Sequence, residues 1–104
     1  MGRERRREFH QVLVDILGTN NVYFQPPESV KMTYPCIVYK RDNVQMVFAD
    51  NKNYKETDRY EVIHITKDPD VNEITHKIRD LKHCSFNRHY VADNLYHDVY
   101  IIYY

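Results

Sequence analysis

The chain has 104 residues, 29% of them charged, and its 15 basic and 15 acidic residues leave no net charge. A chain of this length forms one domain, so residues 1–104 are expected to share one core. Balanced charge excludes proteins that hold nucleic acid through a global basic excess. With only two glycines, glycine-rich phosphate loops are excluded as well. The sequence has no apolar run of membrane-spanning length and no signal peptide, so we expect no membrane partner.

The first predicted element is an amphipathic helix over residues 4–17. Gly18 follows it at the position of a C-terminal cap. Spacings of three and four residues place one apolar stripe on this helix: Phe9, Val12, Leu13, Ile16 and Leu17. Basic residues cluster at its start: Arg3, Arg5, Arg6 and Arg7. Because Glu4 and Glu8 interrupt and close this run, we interpret it as a solvated first turn, with a DNA-binding patch as the alternative.

Strands are predicted in the middle of the chain. Residues 22–27 begin with a short strand at Val-Tyr-Phe and end at two prolines, which cannot donate to a strand ladder. After an extended connection, residues 36–41 form a clear strand, 42–43 (Asp-Asn) a turn, and 44–49 a shorter return strand. The polar residues after them, 50–57, predict an exposed loop. The strand at 59–66 is apolar on both faces, which is typical of a strand inside a sheet.

The last third of the chain predicts a helix and a hairpin. Asp70 is the expected N-cap, and Glu73 completes a variant of the capping box. The apolar stripe of this helix runs to about residue 82: Val71, Ile74, Ile78 and Leu81. Residues 86–90 and 96–103 form the two arms of a hairpin around the Asp-Asn turn at 93–94. The order of elements predicts an α+β domain, a mostly antiparallel β-sheet with two helices packed on it.

No constellation of residues points to catalysis or to a cofactor. Across the hairpin, His89 and His97 could face each other near Asp98, but two ligands would bind zinc only weakly. Cys36 lies in an apolar strand, and Cys84 follows a helix C-terminus, where the dipole disfavours a thiolate. We therefore expect two free thiols, no metal, no cofactor, no catalytic residue and no enzymatic activity.

The remaining signal is on the surface. The ten tyrosines suit half-buried sheets and protein interfaces, because each combines a rigid apolar ring with a polar tip. Two regions are candidates for contact between subunits. The first is a stiff apolar segment that packs on its own helix or docks on a neighbour: Tyr23, Phe24, Pro26 and Pro27. The second is in the polar loop, which is a solvated tip or an arm touching another subunit: Asn51, Lys52, Tyr54 and Lys55.

Several short stretches carry a resemblance that covers the chain from about residue 7 to its end. They are Asn-Val-Tyr-Phe-Gln-Pro-Pro (21–27), Tyr-Pro-Cys-Ile-Val-Tyr (34–39), Ala-Asp-Asn (49–51), Lys-Asp-Pro-Asp (67–70), Cys-Ser-Phe (84–86), Arg-His-Tyr (88–90), Asp-Asn-Leu (93–95) and His-Asp-Val (97–99). Together they are similar to a family of small siphophage proteins encoded among the head-tail joining genes. These proteins are described as tail-terminator, tail-completion or minor capsid proteins.

The resemblance implies an α+β subunit that assembles into a hexameric ring in the neck of the virion. One face of such a ring stops polymerisation of the tail tube protein, and the other meets the head-closure or connector protein. DNA would pass through the lumen without specific binding. The family has no catalytic motif, so the resemblance implies no catalytic residue. A head-closure or adaptor ring, and a small regulatory binding module of a phage, are the alternative functions.

Overall fold

The computed structural model describes residues 2–49 and 52–104. Its elements in chain order are α1 (Gly2–Leu17), β1 (Val22–Phe24), β2 (Cys36–Ala49), β3 (Lys52–Thr66), α2 (Glu73–Arg79), β4 (Cys84–Ala92) and β5 (Leu95–Tyr103). The strands form one sheet in the order β1-β2-β3-β5-β4. The pair β1–β2 is parallel and the other pairs are antiparallel. The predicted α+β class is therefore confirmed.

Helix α1 packs its apolar stripe on one face of the sheet. Phe9, Leu13 and Leu17 are buried, while Val12 is only half-buried. The helix ends as predicted, because Gly18 takes a φ of 81° and its N–H donates to the carbonyl of Val14 over 2.8 Å. A left-handed conformation at this position costs a glycine little, since it has no Cβ.

Both faces of the central strands are buried, as the sequence of residues 59–66 predicts. On the helix side lie buried aromatic and aliphatic side chains from three strands: Ile37, Tyr39, Tyr60, Val62, Tyr100 and Ile102. On the opposite side, Cys36 and Ile65 form a smaller cluster with Leu95. Residues 25–35 carry the chain between the parallel strands β1 and β2, and their Met32 and Tyr34 pack against that smaller cluster.

The predicted turn at residues 42–43 is wrong. Strand β2 continues through Asp42 and Asn43 with an irregularity in register between Arg41 and Asn43. The extra residue is accommodated as a bulge. The Asp42 carboxylate lies 3.6 Å from the Arg59 Nε, and the Asn43 side chain accepts the N–H of Val44 over 2.8 Å. These polar side chains, which predict a turn in a sequence, are thus satisfied within a strand.

The predicted loop at residues 50–57 is also mostly strand. Strand β3 starts at Lys52, and Ala49 pairs with Lys52 in the register. Residues 43–49 and 52–58 therefore form a long two-stranded hairpin. The polar composition of 50–57 does not predict this conformation, because an exposed strand can be polar on both faces. Of these residues, Glu56 is exposed and Thr57 half-buried.

Helix α2 begins two residues later than predicted. Its N-cap is Asn72, whose side chain accepts the N–H of Thr75 over 3.1 Å, and the Thr75 hydroxyl receives the N–H of Asn72 over 3.5 Å. Asp70 instead stands in a turn, where its N–H donates to Asp68 over 3.0 Å. The helix ends at Arg79 rather than near residue 82.

Replacing Asn72 with alanine should lower the free energy of unfolding by about 1 kcal/mol, because the helix loses the acceptor for a terminal N–H. Asp70→Ala is the matched control and should change the free energy of unfolding little. The hydrogen bond of Asp70 to Asp68 is donated by its backbone N–H, which alanine keeps. Urea unfolding of both variants measures the difference. Equal losses would contradict the assignment of the cap.

The C-terminal hairpin is confirmed. Asp93 and Asn94 join β4 to β5 with φ values of 54° and 62°, as a two-residue type I′ turn requires. Strand β5 lies between β3 and β4, so the apolar C-terminal residues are central in the sheet.

Candidate assembly surface

The hairpin of β2 and β3 projects beyond the rest of the sheet. The last pair between β3 and β5 joins Arg59 to Tyr103, and the N–H of Tyr104 donates to the Asp58 carbonyl over 3.0 Å. Beyond this point residues 43–49 and 52–58, here named the arm, have no third strand beside them in the described part of the chain. The molecule is correspondingly elongated, measuring 51 × 27 × 23 Å. Its accessible surface of 7222 Å² exceeds by about 1,000 Å² the roughly 6,200 Å² expected for a monomeric protein of this mass.

The arm exposes apolar side chains on a free strand edge. Val44, Met46 and Val47 are 40%, 42% and 45% exposed. Strand β1 covers the outer edge of β2 only as far as Tyr39, and Gln25 extends this cover by accepting the N–H of Arg41 over 3.3 Å. Farther along, no strand in the described part of the chain pairs with that edge.

The composition of this edge makes it open to pairing. Natural proteins protect free edges with charged residues, proline or a short strand. Residues 43–49 (Asn-Val-Gln-Met-Val-Phe-Ala) contain no charged residue, proline or glycine. An edge of this composition lacks the features that oppose strand addition.

Strand β4 forms a further free edge, on the other side of the sheet, besides the edge of β3 along the arm. Phe86 and Val91 on this strand are 51% and 58% exposed. The other exposed large apolar side chains among the described residues, apart from those of the arm, are Val30 and Val71. Exposed apolar surface is thus concentrated on the arm and on the β4 edge.

The first predicted contact segment is used largely inside the subunit. The ring of Phe24 lies 4.9 Å from that of Tyr39, and Tyr23 packs on the opposite face of the sheet, where its hydroxyl accepts the N–H of Thr33 over 3.3 Å. Pro26 lines an open groove of about 500 Å³ above Val38, while Pro27 is exposed. Tyr23, Phe24 and Pro26 are thus half-buried, and Pro27 is exposed.

The second predicted contact region belongs to the arm. Lys52, Tyr54 and Lys55 stand on β3 where it pairs with the end of β2. Their side chains, and the whole of Asn51, lie outside the described residues. The sequence missed Val44, Met46 and Val47, although an uncharged apolar run next to a polar one was the available signal.

The basic run of α1 is partly engaged by the protein itself. The guanidinium of Arg5 lies 4.8 Å from the centre of the Tyr104 ring, and that of Arg6 lies 4.4 Å from the centre of the Phe24 ring. These cation–π contacts join α1 to the sheet. They give the arginines a structural role beside the predicted solvated turn.

The histidines of the hairpin do not face each other. His89 pairs with Asp98 across the strands, with Nδ1 and Oδ1 2.6 Å apart, whereas His97 stacks on Tyr90 at 4.5 Å. Because neighbouring residues of β5 point to opposite faces, His97 and Asp98 are separated by the sheet. Among the described residues, no group of three or more potential ligands is placed to hold a metal ion.

Both cysteines are free, as the sequence predicts. Burial raises the pKa of the Cys36 thiol to about 11. Burial also raises the pKa of the Cys84 thiol, and the positive charge of Arg79 partly opposes this shift. At neutral pH the two sulfurs are therefore protonated, and a thiol is a much weaker nucleophile than a thiolate.

His64 is buried on the helix side of the sheet. It is 1% exposed, and neither ring nitrogen has a hydrogen-bond partner within the described ranges 2–49 and 52–104. Burial lowers the pKa of His64 from 6.5, and the carboxylate of Asp98, its cross-strand neighbour, opposes this shift. The neutral imidazole is thus the form that the core accommodates.

Acidification should therefore destabilise the protein through His64. The unfolded chain protonates His64 at a higher pH than the folded chain does, because the folded pKa is lowered. The stability that comes from burying the neutral imidazole is therefore fully present above pH 6.5 and is lost as the pH falls below 6.5. One site adds at most about 1.4 kcal/mol per pH unit. In His64→Leu the free energy of unfolding should fall less on acidification than in the wild type. Parallel pH profiles in denaturant unfolding would contradict this role.

No helix among the described residues is long and apolar enough to cross a membrane. Compared with protein-family models, with curated proteins and with solved structures, the chain matches none.

Proposed function

We propose that this protein is a structural subunit that assembles with copies of itself into a closed ring, and that the ring terminates the tail tube of a long-tailed phage. The observation that carries the proposal is the arm, a projecting hairpin with an uncharged free edge and three exposed apolar side chains. The resemblance of the sequence to tail-terminator proteins supplies the phage context.

The surface of the subunit supports assembly. The elongated subunit exposes about 1,000 Å² more than a compact monomer of its mass, and part of this surface is the apolar side chains of the arm. Zero net charge also favours association, because identical subunits then have no strong long-range repulsion.

Ring formation requires two different patches on each subunit, which meet head to tail and close. The arm and the β4 edge lie on opposite sides of the sheet and are different in composition. A subunit with two such patches can be part of a ring, whereas a regulatory binding module needs only one.

Electron microscopy of lysates from a phage with a nonsense codon in this gene tests the function. Filled heads beside detached tubes of abnormal, overgrown length are expected for a tail terminator. Detached tails of normal length beside leaking or empty heads would instead assign the protein to head closure. Intact infectious particles would overturn both assembly functions and favour the regulatory binding module.

A further inference from the structure

We propose that the contact between copies is strand addition, in which the outer edge of β2 in the arm of one subunit pairs with the free edge of β4 in the next. The inference rests on the proposed self-assembly but not on the phage role. It assigns a second copy of this chain as the partner of both the β2 edge of the arm and the β4 edge.

The β4 edge and the uncovered edge of β2 have similar lengths, and both carry exposed apolar residues on the helix side of the sheet. Strand β4 has nine residues, and the uncovered part of β2 is residues 43–49. Val44 and Met46 pair with Asp58 and Glu56 of β3, which puts them on the helix side of the sheet. A sheet that continues from one copy to the next would join this side to the helix side of β4.

The exposed apolar residues of β4 are on that same side. Phe86 pairs with Tyr100, and Val91 pairs with Tyr96, both on the helix side of β5. In one antiparallel register, strand addition would place Met46 opposite Phe86 and Val44 opposite His89, diagonal to Val91. Such cross-strand apolar neighbours are the main stabilising contacts of an antiparallel sheet.

The strand directions also agree. Strand β4 is antiparallel to β5, β5 is antiparallel to β3, and β3 is antiparallel to β2. Within one subunit β4 lies level with residues 36–41 of β2, so pairing with the arm displaces the next copy along the strands by about the length of β4. A ring closes over such a displacement when its strands are inclined to the ring axis, as in a β-barrel, and neighbouring copies then keep the same strand direction. The β2 edge of one copy then meets the β4 edge of the next in antiparallel orientation, the slightly more stable way to pair.

Symmetric pairing of two β4 edges is disfavoured by charge. Arg88 is the middle residue of β4, so a fully overlapped pair of antiparallel β4 strands would place Arg88 opposite Arg88. Like charges directly opposite each other destabilise a sheet. The uncharged edge of the arm presents no such conflict. Symmetric pairing of two arms would leave Phe86 and Val91 uncovered, whereas the head-to-tail contact covers both edges.

A mixing experiment with two variants tests the pairing. Met46→Lys blocks the arm edge, and Val91→Lys blocks the β4 edge, because an edge lysine opposes strand addition. Both positions are largely exposed, so both variants should fold, which their unfolding transitions verify. Val71→Lys, on neither edge and 53% exposed, is the matched control and should assemble like the wild type.

Each edge variant alone should be monomeric by light scattering and native mass spectrometry. An equal mixture should form heterodimers, because Met46→Lys keeps an intact β4 edge and Val91→Lys keeps an intact arm. A mixture that stays monomeric, or a Val91→Lys variant that still self-associates, would overturn the pairing while leaving the proposed function in place. A wild-type protein that never associates would overturn both.

Discussion

Replacing Phe9 with alanine should lower the free energy of unfolding by about 3–5 kcal/mol, the usual cost of removing a buried phenylalanine. Phe9 is fully buried, and its ring lies 5.5 Å from that of Tyr39, 4.9 Å from that of Tyr60 and 5.0 Å from that of Tyr104. The phenyl group thus joins α1 to β2, β3 and the C-terminus. Its removal leaves a cavity that these rigid rings cannot fill.

Phe9→Leu is the matched control and should cost less than half as much, since it keeps most of the apolar volume. Guanidinium or urea unfolding measures both variants. A loss below about 1 kcal/mol in Phe9→Ala would show that α1 is not anchored through this ring.

Replacing Val44 and Val47 together with lysine should weaken self-association by at least about 30-fold, or ~2 kcal/mol for each contact between subunits. The two side chains are on opposite faces of the arm and are still 40% and 45% exposed in the isolated subunit. Assembly would bury this apolar surface, and the lysines would replace it with charge that must leave water. Stability of the isolated subunit should change little, because exposed substitutions have small effects.

Sedimentation at several protein concentrations measures this loss of association. Replacing Val30 with lysine offers a control, since Val30 is also exposed, at 37%, but lies in the connection between β1 and β2. If the control and the arm variant associated equally well, the arm would not be the contact.

Hydrophobic periodicity predicts the core elements well. The stripe of α1, the two-faced strand at 59–66 and the hairpin turn at 93–94 are confirmed. In each of them local sequence and tertiary burial favour the same conformation. Phe9 and Leu13 recur at helical spacing and meet a sheet, and the Asp-Asn pair adopts the left-handed angles that a tight hairpin needs.

The arm could not be predicted, because its local signals conflict with its conformation. Asp42 and Asn43 are turn formers, yet a bulge and the contact with Arg59 keep them within β2. Residues 52–57 are polar throughout, so they lack the alternation that marks a half-buried strand. Pairing with β2, which is a contact distant from any local preference, determines their conformation.

The N-cap of α2 shows a smaller conflict. Asp70 and Asn72 are both good capping residues, and the sequence alone does not choose between them. The Asp68-Pro69-Asp70 turn makes Asn72 the N-cap. The Asp68 carboxylate accepts the N–H of Asp70, and it also accepts a hydrogen bond from the side-chain amide of Asn72 over 3.3 Å. Of the predicted contact residues, Phe24 and Tyr23 pack against the two core clusters of their own subunit and are half-buried, so their role between subunits stays a prediction.

The mass of the purified wild-type protein in solution tests self-assembly through the free edges. Native mass spectrometry together with sedimentation over a dilution series should give one closed oligomer, a hexamer if the ring is that of a tail terminator, in equilibrium with the subunit. A protein that remains monomeric at every concentration would contradict the account, and a dimer that grows no further would replace the ring with a symmetric pair.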